Sequence, residues 1–260
     1  MRVIALSAVA GVMGMGLGGA LSALLGKRSP EMMCWMLSFA GGVMISIVGF
    51  ELIPGAIELS GTAMTITGLI IGVCVVMALN RVVDKFSLAR GHDDSLRIHH
   101  THEELYHEGG ILNSKALLRS GVIMLVAIAL HNLPEGVAIG AAGSFDARLG
   151  FTLALMIALH NIPEGMAIAA PLIGGGIGKG KAVTLTALSG APTFIGAAFG
   201  ILIGGVSNTA LCLSLAAAGG AMLYVVFGEI IPQSVVMTKS RFTSIITLFG
   251  IIVGLLITRI

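Results

Sequence analysis

The chain carries two near-copies of one short motif, ALHNLPEGVAIGAA at Ala129–Ala142 and ALHNIPEGMAIAAP at Ala158–Pro171. In each copy a His and a Glu stand four residues apart within an otherwise apolar stretch. Residues at i and i+4 lie on one face of an α-helix, so His131 and Glu135 point the same way. Ionisable side chains are costly inside apolar membrane helices and mark functional sites. The motif therefore predicts two neighbouring helices that present histidine and carboxylate groups.

The composition of the whole chain is that of a helical membrane protein. Of the 260 residues, 56% are hydrophobic and only 11% are charged, against about 25% charged in soluble proteins. The 37 glycines are typical of membrane helices that pack closely through small residues. The net charge is only +2, and the basic residues lie in short loops rather than in one patch, which excludes nucleic acid as a partner. We expect an all-α integral membrane protein with one transmembrane domain over residues 1–260, surrounded by the lipid bilayer.

Eight stretches are long and apolar enough to cross a membrane, for which about 20 residues are needed. The first is too long and too rich in glycine for the apolar part of a signal peptide. The predicted spans are 3–26, 32–54, 61–80, 116–142, 149–173, 182–205, 208–231 and 242–259. The chain between the third and fourth spans, residues 84–115, is predicted to be a His-rich loop.

Positive charge predicts the orientation of these spans, because loops on the cytoplasmic side of a membrane carry an excess of Lys and Arg. With the N-terminus outside, twelve of the 15 basic residues fall on the inner side and three, Arg2, Arg148 and Arg259, on the outer side. Both termini are therefore expected outside and the loop 84–115 in the cytoplasm. The cell (inner) membrane is the expected location.

A second repeat joins the second and seventh spans. AGGVMISIVGFELIP, Ala40–Pro54, matches AGGAMLYVVFGEIIP, Ala218–Pro232, at eight of fifteen positions. The second and seventh spans run in opposite directions, as do the fourth and fifth. This nesting predicts inverted-topology repeats, a common plan of secondary transporters that places the site near the membrane midplane.

The His and Glu residues of the fourth and fifth spans form the predicted central metal site. Because the two helices are antiparallel, the motifs can meet, and two imidazoles with two carboxylates suit Zn²⁺ and other divalent first-row ions. Asn132 and Asn161 lie about 100° further round their helices and face an adjoining side. The alternative is that the His and Glu are buried structural pairs. The predicted first set of ligands is His131, Glu135, His160 and Glu164.

Two further carboxylates and one loop have open interpretations. Glu51 and Glu229 each lie near a span end, on opposite sides of the membrane, and are either gate carboxylates along an ion path or solvated helix-end residues. The loop carries interspersed His and carboxylate residues, a pattern that binds Zn-type ions weakly, so it either senses or buffers metal or is merely solvated. Its candidate ligands are His99, His100, His102 and His107.

The segments HNLPEGVAIG and HNIPEGMAIAAPL resemble the signature fourth and fifth helices of the ZIP family of zinc and iron transporters, and the chain looks closest to its compact bacterial-type members. The resemblance implies divalent metal movement toward the cytoplasm and a binuclear centre. It implies a first site at the four His and Glu residues, and a second at Asn132 and Asn161 with both Glu bridging. Many relatives carry an Asp where Asn161 stands and a Glu on the sixth helix. Thr193 stands near that Glu position here, so the second site has less charge.

The sequence thus predicts a divalent metal transporter, not an enzyme, that imports Zn²⁺ as its substrate with tolerance for Fe²⁺, Mn²⁺, Co²⁺ or Cd²⁺. One alternative is an intramembrane metal-dependent hydrolase, in which a metal-bound water attacks an ester or amide. Another is a metal exporter or channel of the same architecture, because the ligands do not encode direction. The sequence does not fix the oligomeric state, and a homodimer remains open.

Overall fold

The computed structural model describes residues 2–25, 30–89, 114–203, 207–238 and 240–259, and every regular element in these ranges is helical. Three short π-helices interrupt the α-helices. In chain order the elements are α1 (Arg2–Ala8), π1 (Val9–Met13), α2 (Gly14–Leu25), α3 (Pro30–Ile47), π2 (Val48–Leu52), α4 (Ile53–Ala89), α5 (Ser114–Phe145), α6 (Ala147–Gly174), α7 (Lys179–Ser189), α8 (Ala191–Ile203), α9 (Asn208–Val225), π3 (Val226–Ile230), α10 (Ile231–Thr238) and α11 (Phe242–Ile257).

Local signals set several helix ends. Asp146 alone separates α5 from α6, and its carboxylate accepts a hydrogen bond of 2.8 Å from the backbone N–H of Arg148, as an N-cap residue does. The Ser207 hydroxyl caps α9 in the same way. After α6, Gly176 has a φ of 95°, a left-handed conformation that glycine adopts readily. The single-residue link makes α5 and α6 an antiparallel hairpin.

Six stretches of the described residues are helical, long and apolar enough to cross a membrane, which supports an integral membrane protein. A seventh apolar helix, Phe242–Ile257, is shorter. The six are Arg2–Leu25, Glu31–Val82, Ser114–Ser144, Gly150–Gly174, Lys179–Leu202 and Asn208–Val235. The predicted sixth span is divided at Gly190 into α7 and α8. Helix α4 continues to Ala89, past the predicted end of the third span at residue 80, because no Gly or Pro interrupts the sequence there. Residues 84–89 of the predicted loop are therefore helical.

The longest of these stretches, Glu31–Val82, contains a break at Ser60 and Gly61. Their backbones are not helical, and Gly61 has a φ of 77°. Ahead of the break, α3 and π2 pack against α9 and π3. A Cβ on Gly41 would lie 3.2 Å from the Ile230 side chain, and one on Gly219 would lie 3.3 Å from that of Val48. The residue numbers increase from Gly41 to Val48 while those of the contacted residues decrease from Ile230 to Gly219, so these segments are antiparallel.

Beyond the break the direction changes. The Ser60 hydroxyl donates a hydrogen bond to Thr209 at 3.4 Å, and the Asn80 amide donates one to the Tyr224 hydroxyl at 3.4 Å. The residue numbers now increase along both helices, from Ser60 to Asn80 and from Thr209 to Tyr224, so this part of α4 runs parallel to α9. The chain therefore reverses at Ser60–Gly61, between the predicted second and third spans.

The repeat found at Ala40–Pro54 has a structural counterpart that extends further along the chain. The π-helices π2 and π3 occupy equivalent positions of the two copies. Gly42 packs against the Thr247 carbonyl oxygen, and Gly220, 178 positions after Gly42, packs against that of Leu69. Thr247 follows Leu69 by the same 178 positions. The segment after the break and α11 are therefore equivalent too, which their sequences do not reveal.

The helices that flank the α5–α6 hairpin, α8 and α2, are equivalent to each other as well. Gly136 on α5 packs against the Thr193 carbonyl oxygen of α8, and Gly165 on α6 packs against the Met15 carbonyl oxygen of α2. Gly165 follows Gly136 by 29 positions, the spacing of the two HN-x-PEG motifs, and Thr193 follows Met15 by 178. Each half of the hairpin thus has one flanking helix at backbone contact, where only glycine fits.

We expect Gly42→Ala and Gly220→Ala to destabilise the protein similarly. In each variant the new methyl group would collide with a backbone carbonyl oxygen of the equivalent partner helix, and overpacking costs about 1–3 kcal/mol. Thermal unfolding in detergent measures the effect. Gly55→Ala is the matched control, because a Cβ there has nothing within 4 Å. Equal melting temperatures for all three variants would contradict the packing scheme.

Candidate metal centre

The α5–α6 hairpin brings the two HN-x-PEG motifs to the same level. His131 lies 15 residues before Asp146 and His160 lies 14 residues after it, about 21 Å along each helix. Both helices continue through their motif prolines, Pro134 and Pro163. The predicted convergence of the motifs is therefore present in the structure.

Three contacts link all four predicted first-set side chains. The His160 Nε2 atom lies 2.9 Å from Oε1 of Glu135. The His131 Nε2 atom lies 3.2 Å from Oε1 of Glu164 and 3.5 Å from Oε1 of Glu135. Each residue is at most 2% exposed. Two imidazoles and two carboxylates thus form one buried cluster. In it the histidine of each helix pairs with the glutamate of the other helix.

This cluster retains unused binding capacity. In the described ranges no group of three or more His, Cys, Asp or Glu side chains has the arrangement of a metal-coordination sphere, because the imidazoles and carboxylates pair with each other. Yet Oε2 of Glu135, Oε2 of Glu164 and Nδ1 of both histidines are buried without a hydrogen-bond partner. A buried polar atom without a partner costs about 1–3 kcal/mol. The donor set therefore gains from a ligand that satisfies these atoms.

The two asparagines are held from neighbouring helices. The Asn132 amide nitrogen donates a hydrogen bond of 2.9 Å to the Ser189 carbonyl oxygen, and that of Asn161 donates one of 3.1 Å to the Ala10 carbonyl oxygen. Ser189 ends α7 and Ala10 lies in π1, and helix interruptions of this kind leave carbonyl oxygens free. Both amide oxygens are buried without a partner, so the atoms able to bind a cation remain available.

Thr193 lies against the same region from α8. It is fully buried, its hydroxyl oxygen has no hydrogen-bond partner, and its side chain packs against Gly11. Its backbone carbonyl contacts Gly136, the residue after Glu135. Where Thr193 stands, the chain therefore supplies a neutral oxygen and no charge.

Glu51 lies near the cluster, in π2. It is close enough to His160 and Glu135 to interact with both electrostatically. Its Oε2 atom is buried and has no hydrogen-bond partner. The helix continues past it into α4, so Glu51 is not at a helix end.

Glu229, the equivalent residue in π3, has different surroundings. Its carboxylate lies 3.7 Å from the Arg119 guanidinium and accepts a short hydrogen bond from the Ser120 hydroxyl. The Gln233 amide donates in turn to Ser120. Sequence reasoning did not find Arg119, Ser120 or Gln233 as functional candidates. Their only signal is that Arg119 precedes His131 by twelve residues, as Arg148 precedes His160. The loop candidates His99, His100, His102 and His107 lie outside the described residues.

Comparison with known proteins identifies the family. A family model described as "ZIP Zinc transporter" matches residues 84–260. A zinc transporter ZupT of Akkermansia muciniphila is 32% identical over 258 residues, covering 94% of this chain and 91% of the relative. That of Chlorobium chlorochromatii is 29% identical over 93% of this chain and 90% of the relative. Zinc transporter GufA of Myxococcus xanthus is 40% identical over 52% of each chain. The predicted membership is confirmed, and with it a transporter rather than an enzyme: the chain belongs to the ZIP zinc transporter family.

Proposed function

We propose that this protein carries divalent metal ions, Zn²⁺ first, across the cell membrane into the cytoplasm through the buried His/Glu cluster of α5 and α6. The observation that carries the proposal is the convergence of His131, Glu135, His160 and Glu164 between helices apolar enough to span a bilayer. The relatives ZupT and GufA, named as zinc transporters, support zinc as the substrate. The same ligands suit Fe²⁺, Mn²⁺, Co²⁺ and Cd²⁺.

The proposed architecture is one transmembrane domain over residues 1–260 with eight crossings. The six long apolar stretches, the reversal at Ser60–Gly61 and the shorter helix α11 together provide eight segments. The equivalences around π2, π3 and the hairpin support inverted repeats. Twelve of the 15 basic residues would then face inward, which puts both termini outside and the loop 84–115 in the cytoplasm.

In this proposal the ion replaces the hydrogen bonds of the cluster with coordinate bonds. The two carboxylates neutralise the double positive charge, and the His131 and His160 nitrogens complete a mixed N/O set suited to Zn²⁺. The buried oxygens without partners in the cluster supply further donors at no extra desolvation. Asn132 and Asn161 form the proposed second set, bridged by the two Glu. Glu51 and Glu229 are the proposed gate carboxylates along the ion path, on opposite sides of the membrane.

Removing either central carboxylate should abolish transport. Glu135→Ala and Glu164→Ala each leave the ion one negative charge short. Breaking a buried charge pair costs about 3–5 kcal/mol, so metal uptake should fall by about a hundredfold or more. Radiotracer accumulation of ⁶⁵Zn²⁺ in proteoliposomes, with competing metals and no organic substrate, measures it.

Glu58→Ala is the matched control for these variants, because Glu58 is exposed on α4. It should keep the unmutated rate. Uptake near that rate in Glu135→Ala or Glu164→Ala would refute the site, and outward movement against the imposed gradient would favour an exporter.

The cluster should bind one ion tightly and a second weakly. Two ions would bring four positive charges against two bridging carboxylates, and Asn132, Asn161 and Thr193 contribute only neutral oxygens. Uncompensated buried charge costs several kcal/mol. Equilibrium dialysis with Cd²⁺ at rising concentration should give one tight site per chain, which Glu164→Gln removes and Glu58→Gln preserves. Two tight sites of equal affinity would contradict this charge argument.

The His residues of the loop should tune transport without being required for it. Replacing His99, His100, His102 and His107 together with Ser should leave uptake intact, since these positions lie outside the predicted spans. Only the rate or its response to metal concentration should change. The measurement is uptake in vesicles normalised to membrane abundance, with the unmutated chain as reference. Complete loss of uptake at normal abundance would put these His on the obligatory path.

A further inference from the structure

Two arginine–glutamate pairs are equivalent under the repeats, and in the structure one of them is in contact. Arg148 follows Arg119 by 29 positions, the spacing of His131 and His160. Glu229 follows Glu51 by 178 positions, the spacing of the other repeat. The pair Arg119–Glu229 at one end of the hairpin therefore corresponds to Arg148 and Glu51 at the other end.

The surroundings of the two pairs differ sharply. Arg119 and Glu229 are in contact at 3.7 Å, and Ser120 and Gln233 add hydrogen bonds around them. At the other end, Arg148 is exposed, and its guanidinium has no ion pair with a carboxylate of the described residues. The Glu51 carboxylate is within electrostatic reach of His160, and its Oε2 atom is buried without a partner.

The two pairs also differ in whether the arginine and the glutamate lie at the same height along the helices. Arg119 precedes His131 by twelve residues, about 18 Å along α5, and Glu229 lies at the Arg119 level. Arg148 likewise precedes His160 by twelve residues, but Glu51 lies closer to the level of His160. The packing of α3 against α6 shows this, because a Cβ on Gly174 would lie 3.1 Å from the Met33 sulfur. From that contact Glu51 and His160 lie 18 and 14 residues away along the two helices.

We propose that Arg148 and Glu51 form the outer gate of the transporter, that Arg119 and Glu229 form the inner gate, and that the two ion pairs close alternately. This inference rests on the proposed function. Arg119 and Arg148 lie at opposite ends of one hairpin. A movement of the hairpin that carries Arg148 to Glu51 therefore carries Arg119 away from Glu229. One rigid unit thus excludes the simultaneous closure of both gates, as alternating access requires.

The two gates are not equally strong. The positions equivalent to Ser120 and Gln233 are Leu149 and Gly55, whose side chains cannot donate hydrogen bonds to a carboxylate. The inner gate has its ion pair and two supporting hydrogen bonds, whereas the outer gate has an ion pair alone. The inner-closed arrangement is therefore favoured, which agrees with the arrangement observed.

Thiol cross-linking tests the alternation without depending on transport. The native cysteines Cys34, Cys74 and Cys212 are first replaced by Ala. Glu51→Cys and Arg148→Cys are then introduced together, and a short bifunctional thiol reagent is applied in metal-free membranes. Adding Glu229→Gln, which weakens the inner gate, should raise the cross-linked fraction severalfold. The control pair Glu51→Cys with Arg259→Cys should not respond. An outer pair that never cross-links, or does so equally in both backgrounds, overturns the proposal.

Uptake kinetics provide a second test on proteins without cysteine changes. Arg148→Gln should lower the maximal uptake rate about fivefold, the effect of losing a partly exposed ion pair. The KM should change little, because Arg148 does not contact the metal centre. Arg259→Gln, an exposed arginine at the same membrane face, should leave both parameters unchanged. An unchanged maximal rate in Arg148→Gln overturns the gate. Absence of uptake in the unmutated protein would instead refute the proposed function, and the cross-linking result would still report on the gates.

Discussion

A charged group buried in a hydrocarbon layer must find its partner within the protein, and the centre of this fold is arranged around that constraint. Two imidazoles and two carboxylates are almost completely removed from solvent between α5 and α6. Hydrogen bonds across the hairpin satisfy part of each group, His131 with Glu164 and His160 with Glu135. The single-residue link at Asp146 fixes the register that makes these cross-pairs possible. A shift by one residue would rotate either motif about 100° away from the other helix.

The neighbouring helices support the same centre through their backbones. Glycines of α5 and α6 admit α8 and α2 to backbone contact, and interruptions after α7 and in π1 supply the carbonyl oxygens that hold Asn132 and Asn161. Small residues therefore have two functions here. They replace the hydrophobic driving force that lipid cannot supply between helices. They also bring polar backbone atoms close enough to orient the site.

The sequence predicted the parts of this arrangement that depend on one helix at a time. The i, i+4 spacing of His131 and Glu135 and the apolar runs follow from helical geometry and composition alone. The Arg119–Glu229 pair could not be predicted, because its members are over a hundred positions apart. Glu229 was a candidate gate carboxylate, but Arg119 looks like an ordinary basic residue near a loop. The π-helices were also missed. Each adds a residue to one turn and so changes the direction of Glu51 and Glu229, although VGFEL and VFGEI have no composition that marks such a turn.

Among the described residues, the glycines that touch the backbone of a neighbouring helix divide the helices into two groups. One group joins α2 with α6 and α5 with α8, and the other joins α3 with α11 and α4 with α9. The main apolar core draws side chains from both groups and includes Met33, Met44, Met124 and Met222, and methionine adapts to changed surroundings more readily than other apolar residues. Within a group, movement would separate glycine from a carbonyl oxygen that fits only glycine. Between groups, movement requires new side-chain rotamers and separation of Arg119 from Glu229. The His/Glu cluster lies wholly in the first group, and Glu51 and Glu229 lie wholly in the second. The relative position of the groups therefore decides which of these two carboxylates meets its arginine.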